Sequence, residues 1–121
     1  MEHPIVHIEM ATINPEGASR FYAEVFGWQM HHYAEFDYTS FDAAPGPGGA
    51  FPRVDNQMYK PGDVLIYIGT DDIDGTLAQI QAAGGKIIVP KSEVPGFGWF
   101  AIFSDPTGSR AALWSGSGQG G

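Results

Sequence analysis

Residues 4–27 read PIVHIEMATINPEGASRFYAEVFG, and this stretch decides the fold of the first half of the chain. Apolar and polar side chains alternate over its first part, which is typical of a half-buried β-strand. His7 and Glu9 lie two residues apart, so a strand places both on one face. The other face carries the apolar side chains of Val6, Ile8 and Met10.

A helix is predicted directly after this strand. Asn14 is a typical N-cap, Pro15 is favoured at the first helical position, and Gly27 is typical of a helix end. Apolar side chains recur at helical spacing between them, which indicates an amphipathic helix. These side chains are Ala18, Phe21, Tyr22, Val25 and Phe26.

The rest of the chain is predicted to form strands and one further helix. Residues 28–41 favour two or three short strands, whereas residues 44–50 are rich in Gly and Pro and predict a mobile loop. Turn-forming residues predict a linker at 56–62. Beyond it we predict a strand at 64–68, a helix that Asp71 or Asp72 caps, and strands at 86–90, 98–103 and 109–114.

The two halves repeat one another when the numbering is shifted by 58. The matches fall at predicted caps and helix ends, where backbone geometry restricts the choice of residue. We therefore predict a duplicated unit of one strand, one helix and further strands. The matched pairs are Thr12 with Thr70, Asn14 with Asp72, Glu16 with Asp74, Gly17 with Gly75, and Gly27 with Gly85.

Composition restricts the partners and the location. The chain has 121 residues, within the range of one domain, and its lack of cysteine excludes disulfides and thiolate metal sites. Its formal net charge of −8 disfavours binding to nucleic acid or to an anionic membrane surface. The sequence shows no signal-peptide pattern and no stretch of membrane-spanning length, so we expect a cytoplasmic protein.

Three stretches carry a family resemblance: HIEM at 7–10 leading to RFYAEVFGW at 20–28, AAGGK at 82–86, and FSDPTG at 103–108 followed by ALW at 112–114. They resemble the vicinal oxygen chelate superfamily, which includes glyoxalase I, extradiol dioxygenases and the fosfomycin- and bleomycin-resistance proteins. The resemblance implies an α+β fold of two tandem βαβββ modules, forming a cupped mixed sheet with the helices on its convex face. It implies one domain over 1–121, with module one at about 4–55, module two at about 62–115 and a flexible tail at 116–121.

The resemblance also implies where a metal would bind. Metal-dependent members hold a divalent ion with His, Glu or Gln side chains from the first and last strands of the two modules. His7 matches the first of these positions, but the others fall at Leu65, near Ala112 and within 49–54, where no ligand is present. Because an ion site needs three or more convergent ligands, we expect no catalytic metal and no other cofactor.

His7 and Glu9 are the candidate catalytic residues, as an acid/base pair on the face that the resemblance assigns to the cavity. The alternative is a polar pair that only satisfies itself. A second group of side chains supplies rings and one cation for an aromatic pocket, with ordinary core packing of the rings as the alternative. These candidate ligand-binding residues are Tyr38, Tyr67, Trp99, Arg110 and Trp114.

The sequence favours a small-molecule-binding protein of the glyoxalase/bleomycin-resistance type that lacks a catalytic metal. One alternative is a lyase or isomerase in which His7 or Glu9 shuttles a proton. Another is a metal-dependent glyoxalase- or dioxygenase-like enzyme whose remaining ligands come from a partner chain or another register. The expected partner is a small organic ligand, and the resemblance implies a homodimer. The sequence does not decide whether the ligand is turned over.

Overall fold

The computed structural model describes residues 2–116, and within them the chain forms two helices and eight strands. Each half has the order βαβββ, which confirms the α+β class and the duplicated unit. The first module consists of β1 (Ile5–Met10), α1 (Pro15–Phe26), β2 (Gln29–Tyr33), a 3-10 turn (Ala34–Phe36), β3 (Tyr38–Asp42) and β4 (Gly48–Ala50). The second consists of β5 (Val64–Gly69), α2 (Ile73–Ala82), β6 (Lys86–Val94), β7 (Gly98–Ser104) and β8 (Arg110–Gly116).

The repeat is visible atom by atom at the helix starts. The Asn14 side chain accepts a hydrogen bond from Gly17 N at 3.0 Å, and Asp72 accepts one from Gly75 N at 2.9 Å. A Thr hydroxyl two residues before each cap accepts a bond from the cap's own N–H. Since a Cβ at either glycine would collide with the capping side chain, the shared glycines follow from the shared cap.

The described residues divide into two compact units, one from His7 to Leu65 and the other joining the residues up to Val6 to the segment that begins at Ile66. In the first unit the strand order is β2-β3-β4-β1, with β4 and β1 parallel and the other pairs antiparallel. Aromatic rings from α1 and the sheet pack on one side of it. Tyr22 stacks on Phe51 at 5.4 Å between centroids, and Trp28 stacks on Phe41 at 4.4 Å.

In the other unit the strand order is β5-β8-β7-β6, with β5 and β8 parallel. Its core lies between α2 and this sheet. Ile73 and Leu77 of the helix pack against Ala101 and Leu113 of the strands, and none of the four is more than 7% exposed. This burial is what the predicted apolar face of the second helix requires.

The local pattern predicts a loop where strand β4 (Gly48–Ala50) lies, whereas the resemblance implies the last strand of module one within 49–54. A Cβ at Gly49 would overlap the carbonyl oxygen of Ile8 and press on the ring of Phe41. Strand β4 therefore needs glycine where its neighbours β1 and β3 lie against it. Because glycine is disfavoured in strand interiors, local propensity does not predict a strand here.

Strand β8 reaches the last described residue of the chain. Strand β8 includes Gly116, so that residue does not belong to the predicted tail, and the rest of the tail lies outside the described residues. Among residues 2–116 no helix is long and apolar enough to cross a membrane.

Candidate functional site

The first module's sheet has one face packed by aromatic rings and one face that carries polar groups. Because neighbouring residues in register share a face, the rows His7–Gly48 and Glu9–Ala50–Ser40 lie on the same side. Tyr38 is two residues before Ser40 and joins them. Phe41 points the other way, towards the rings of Trp28 and Phe51. The strand alternation predicted for His7 and Glu9 thus directs both away from the helix.

Four side chains on this face form a continuous hydrogen-bonded group, which we call the Glu9 network: His7, Tyr38, Glu9 and Tyr59. The Tyr38 hydroxyl donates to Glu9 Oε2 at 2.6 Å, and the Tyr59 hydroxyl donates to Glu9 Oε1 at 2.5 Å. His7 Nε2 lies 2.9 Å from the Tyr38 hydroxyl oxygen. Glu9 itself is only 3% exposed. Both of its oxygens therefore accept short charge-assisted bonds inside the protein.

The direction of each bond follows from counting protons. Tyr38 has one hydroxyl proton and gives it to Glu9, so its oxygen can only accept from His7. His7 is therefore protonated on Nε2 when it is neutral. The order His7 to Tyr38 to Glu9 is a path along which a proton can move.

Burial shifts the pKa values of His7 and Tyr38 in opposite directions. Burial lowers the pKa of His7 below 6.5, and the negative charge of Glu9 offsets only part of that shift. Burial also raises the pKa of Tyr38 far above its ordinary value, and the adjacent Glu9 carboxylate adds to the effect. At neutral pH the network thus contains a neutral imidazole and a phenol that keeps its proton.

Tyr59 was missed by sequence reasoning, which placed it in the predicted linker. It follows β4 by nine residues and belongs to no strand or helix. Asp55 and Asn56 are typical turn residues and predict a turn here. They do not predict which side chain the turn places against Glu9. The contact joins residues fifty apart in the chain.

The structure places the other predicted ligand-binding residues in the second module. Tyr67 pairs with Ala112 in the sheet, and Trp114 and Arg110 alternate with the core residue Leu113, so the three share the face opposite α2. Trp114 also lines an open depression of about 650 Å³. The other residues that line it are Glu2, Pro4, Gly69, Thr70, Asp71 and Gly116.

Trp99 does not share that face. It pairs with Ser115, whereas its neighbour Phe100 pairs with Trp114. Trp99 packs instead against the α2 core, with Lys91 Nζ 4.9 Å from its ring centroid. The alternation of β7 decides this placement, because the chain enters the strand with Gly98 rather than Trp99 on the face of Trp114.

Within residues 2–116, the side chains at the expected metal positions do not fit a divalent ion. His7 Nε2 and both oxygens of Glu9 are bound to phenols, and these residues contain no group of three or more His, Cys, Asp or Glu side chains placed to hold a metal ion. Leu65 and Ala112, at two of the expected ligand positions, are apolar and at most 1% exposed. Two hydrogen-bonded side chains on one strand cannot displace the ion's water shell.

Two βαβββ modules, with polar groups on the face of the first strand that points away from the helix, define the architecture of the glyoxalase-like proteins. The family model described as the Glyoxalase/Bleomycin resistance protein/Dioxygenase superfamily matches residues 4–113. The chain belongs to this superfamily, which confirms the resemblance.

The chain is similar to several relatives and solved structures. It is 30% identical over 110 residues to the anthracycline biosynthesis protein DnrV of Streptomyces peucetius, covering 78% of this chain and 40% of the relative. It is 32% identical over 109 residues to the putative glyoxylase CFP32 of Mycobacterium bovis, covering 84% and 40%. The chain thus spans about 40% of the length of these two relatives. Methylmalonyl-CoA epimerase of Streptomyces coelicolor shares the fold with a TM-score of 0.67 and 15% identity, covering 97% of this chain and 99% of the epimerase.

The lowered pKa of His7 predicts how stability depends on pH. Below pH 6.5 the unfolded chain takes up a proton at His7 before the folded protein does, so the free energy of unfolding falls as the pH drops through this window. Above it neither state carries the proton and this contribution is constant. Thermal unfolding between about pH 5 and 7.5 should show a shallower slope for His7→Gln than for the wild type. An unchanged slope in His7→Gln would contradict the account.

Proposed function

We propose that this chain binds a small organic molecule on the polar face of its first module and does so without a divalent metal. The Glu9 network carries the proposal, because a buried carboxylate is costly unless it is fully hydrogen-bonded, and such groups concentrate at functional sites. Glu9 is too buried to be the main contact. We therefore assign the direct polar contacts to His7 and Tyr38, which are partly exposed, with Glu9 behind them.

The ligand class follows from charge and from the rings on this face. Tyr33 pairs with Tyr38 and lies 4.2 Å from His31 between ring centroids, so aromatic surface continues beside the Glu9 network. The net charge of −8 disfavours a polyanion such as the coenzyme A ester bound by the epimerase. A planar aromatic molecule that is neutral or cationic suits the site, and the similarity to an anthracycline biosynthesis protein supports the same class.

Binding can be tested with an anthracycline, S-lactoylglutathione and methylmalonyl-CoA as probes of the three ligand chemistries. We expect the anthracycline to bind, with a Kd that EDTA does not change, measured by isothermal titration calorimetry. His7→Gln and Tyr38→Phe should each raise this Kd by about tenfold, the value of one partly buried hydrogen bond. His32→Gln is the matched control and should bind as the wild type does. Loss of binding in EDTA would overturn the metal-free part of the proposal.

A second candidate function is a lyase or isomerase that moves one proton. The hydrogen-bonded path from His7 through Tyr38 to Glu9 favours it, since a neutral imidazole backed by a phenol and a carboxylate is suited to accept a proton from a bound ligand. Glu9 stabilises the imidazolium that forms and keeps the ring in one orientation. No metal is needed for such a step.

Turnover can be separated from binding by deuterium exchange. If the site moves a proton, a bound ligand with an acidic C–H group should incorporate deuterium from D₂O, followed by mass spectrometry. Glu9→Gln should retain binding but lower the exchange rate by about 100-fold or more, the typical contribution of general acid–base catalysis. Absence of exchange with the wild type would leave binding as the function, and exchange at the wild-type rate in Glu9→Gln would exclude Glu9 from the proton path.

We also propose that the chain forms a homodimer. Three apolar side chains of α1 are more than half exposed, namely Phe21, Val25 and Phe26. A surface of this kind is suited to association with a second copy of the chain. Sedimentation velocity at micromolar concentration should give a mass twice that of the chain. Phe26→Ser should lower the measured mass towards that of a single chain. A wild-type monomer would refute the proposal.

A further inference from the structure

The loop that carries Tyr59 is closed by a single aspartate. Asp55 Oδ1 accepts hydrogen bonds from Gln57 N and from Tyr59 N, both at 2.9 Å. In return, the carbonyl oxygen of Tyr59 accepts from the backbone N–H groups of Asp55 and Asn56, both at 3.0 Å. Asn56 has a φ of 61°, a left-handed conformation that asparagine tolerates and a tight turn requires.

This closure fixes the backbone of Tyr59 and so fixes where its side chain begins. Tyr59 lies outside the strands, so no sheet hydrogen bonds hold its position. Its hydroxyl nonetheless makes the shortest contact of the Glu9 network, at 2.5 Å from Glu9 Oε1. A bond of that length tolerates little displacement, because charge-assisted O–H···O bonds weaken steeply outside a narrow range.

We propose that Asp55 is a positioning residue for the candidate site: it holds the loop 55–59 in the one conformation that brings the Tyr59 hydroxyl onto Glu9. Asp55 contacts the Glu9 network at the backbone of Tyr59 and acts on Glu9 through that residue. Its effect on ligand affinity rests on the proposed function, whereas its effect on the Tyr59 bond does not.

The charge of Asp55 agrees with this role. The hydrogen bonds that it accepts from the backbone of Tyr59, and then of Gln57, lower the pKa of the carboxyl group. The bonds are therefore made to the ionised form that is present at neutral pH.

The second module contains a matched control. Asp105 Oδ1 accepts from Thr107 N at 2.8 Å and from Ser109 N at 3.1 Å, and Ser109 O accepts from Asp105 N at 2.8 Å. The same closure thus ends on a serine in the turn between β7 and β8. Replacing Asp105 removes the same two backbone bonds, together with one from the Thr107 hydroxyl, without touching the loop of Tyr59.

The test is proton NMR of the hydroxyl groups in the protein without ligand. Tyr38 and Tyr59 should each give a downfield hydroxyl signal from the short bonds to Glu9, assigned by its loss in Tyr38→Phe or Tyr59→Phe. Asp55→Ala should broaden or shift the Tyr59 signal and leave the Tyr38 signal in place. Asp55→Asn, which keeps the Oδ1 acceptor, should restore the Tyr59 signal, and Asp105→Ala should leave both signals unchanged.

An unchanged Tyr59 signal in Asp55→Ala, or an equal loss in Asp105→Ala, would overturn the assignment. If Asp55→Ala does not fold, Asp55→Ser replaces it under the same criteria, because its hydroxyl can accept one of the two N–H bonds. With the anthracycline probe, Asp55→Ala should raise the Kd by about two- to tenfold. If no probe binds the wild type but the NMR pattern holds, the proposed function fails and the positioning role stands.

Discussion

The first module is organised around the need to satisfy one buried carboxylate. Glu9 is 3% exposed and would be strongly destabilising without partners. Two phenols supply the partners, one from β3 and one from the loop after β4. Each phenol must arrive with its oxygen in place, so β1, β3 and the loop are tied to one another at a single point. The polar face owes its geometry to this requirement.

The same requirement explains how this chain departs from the metal-dependent pattern that its superfamily implies. In a metal site the charge of a carboxylate is balanced by an ion held by several side chains. Here both oxygens of Glu9 accept phenolic protons, and His7 is engaged with one of those phenols. Hydrogen bonds thus connect an imidazole, a phenol and a carboxylate one after another.

Much of the fold could be predicted because it depends on local chemistry. The helix caps at Asn14 and Asp72, with a glycine three residues after each, depend only on neighbouring residues in the chain. The structure has nearly the same hydrogen bonds at both caps. The apolar periodicity of the helices is a local property as well. Local propensity missed strand β4, which the resemblance implied, for an equally physical reason. Gly49 is required by the close approach of the Ile8 carbonyl oxygen, which comes from a strand far earlier in the chain, and of the Phe41 ring.

The sequence by itself determined the two βαβββ modules and the common face of His7 and Glu9, because helix caps and strand alternation are local properties. It also determined that the other expected metal positions lack a matching ligand, since this depends only on residue identity. Only the tertiary structure decided that Tyr59 meets Glu9, that Tyr38 stands between Glu9 and His7, and that Trp99 packs into the α2 core. These outcomes depend on strand register and on loop closure. A one-residue change in register reverses every side chain of a strand, and no local pattern reports which residue a loop will deliver to a distant carboxylate.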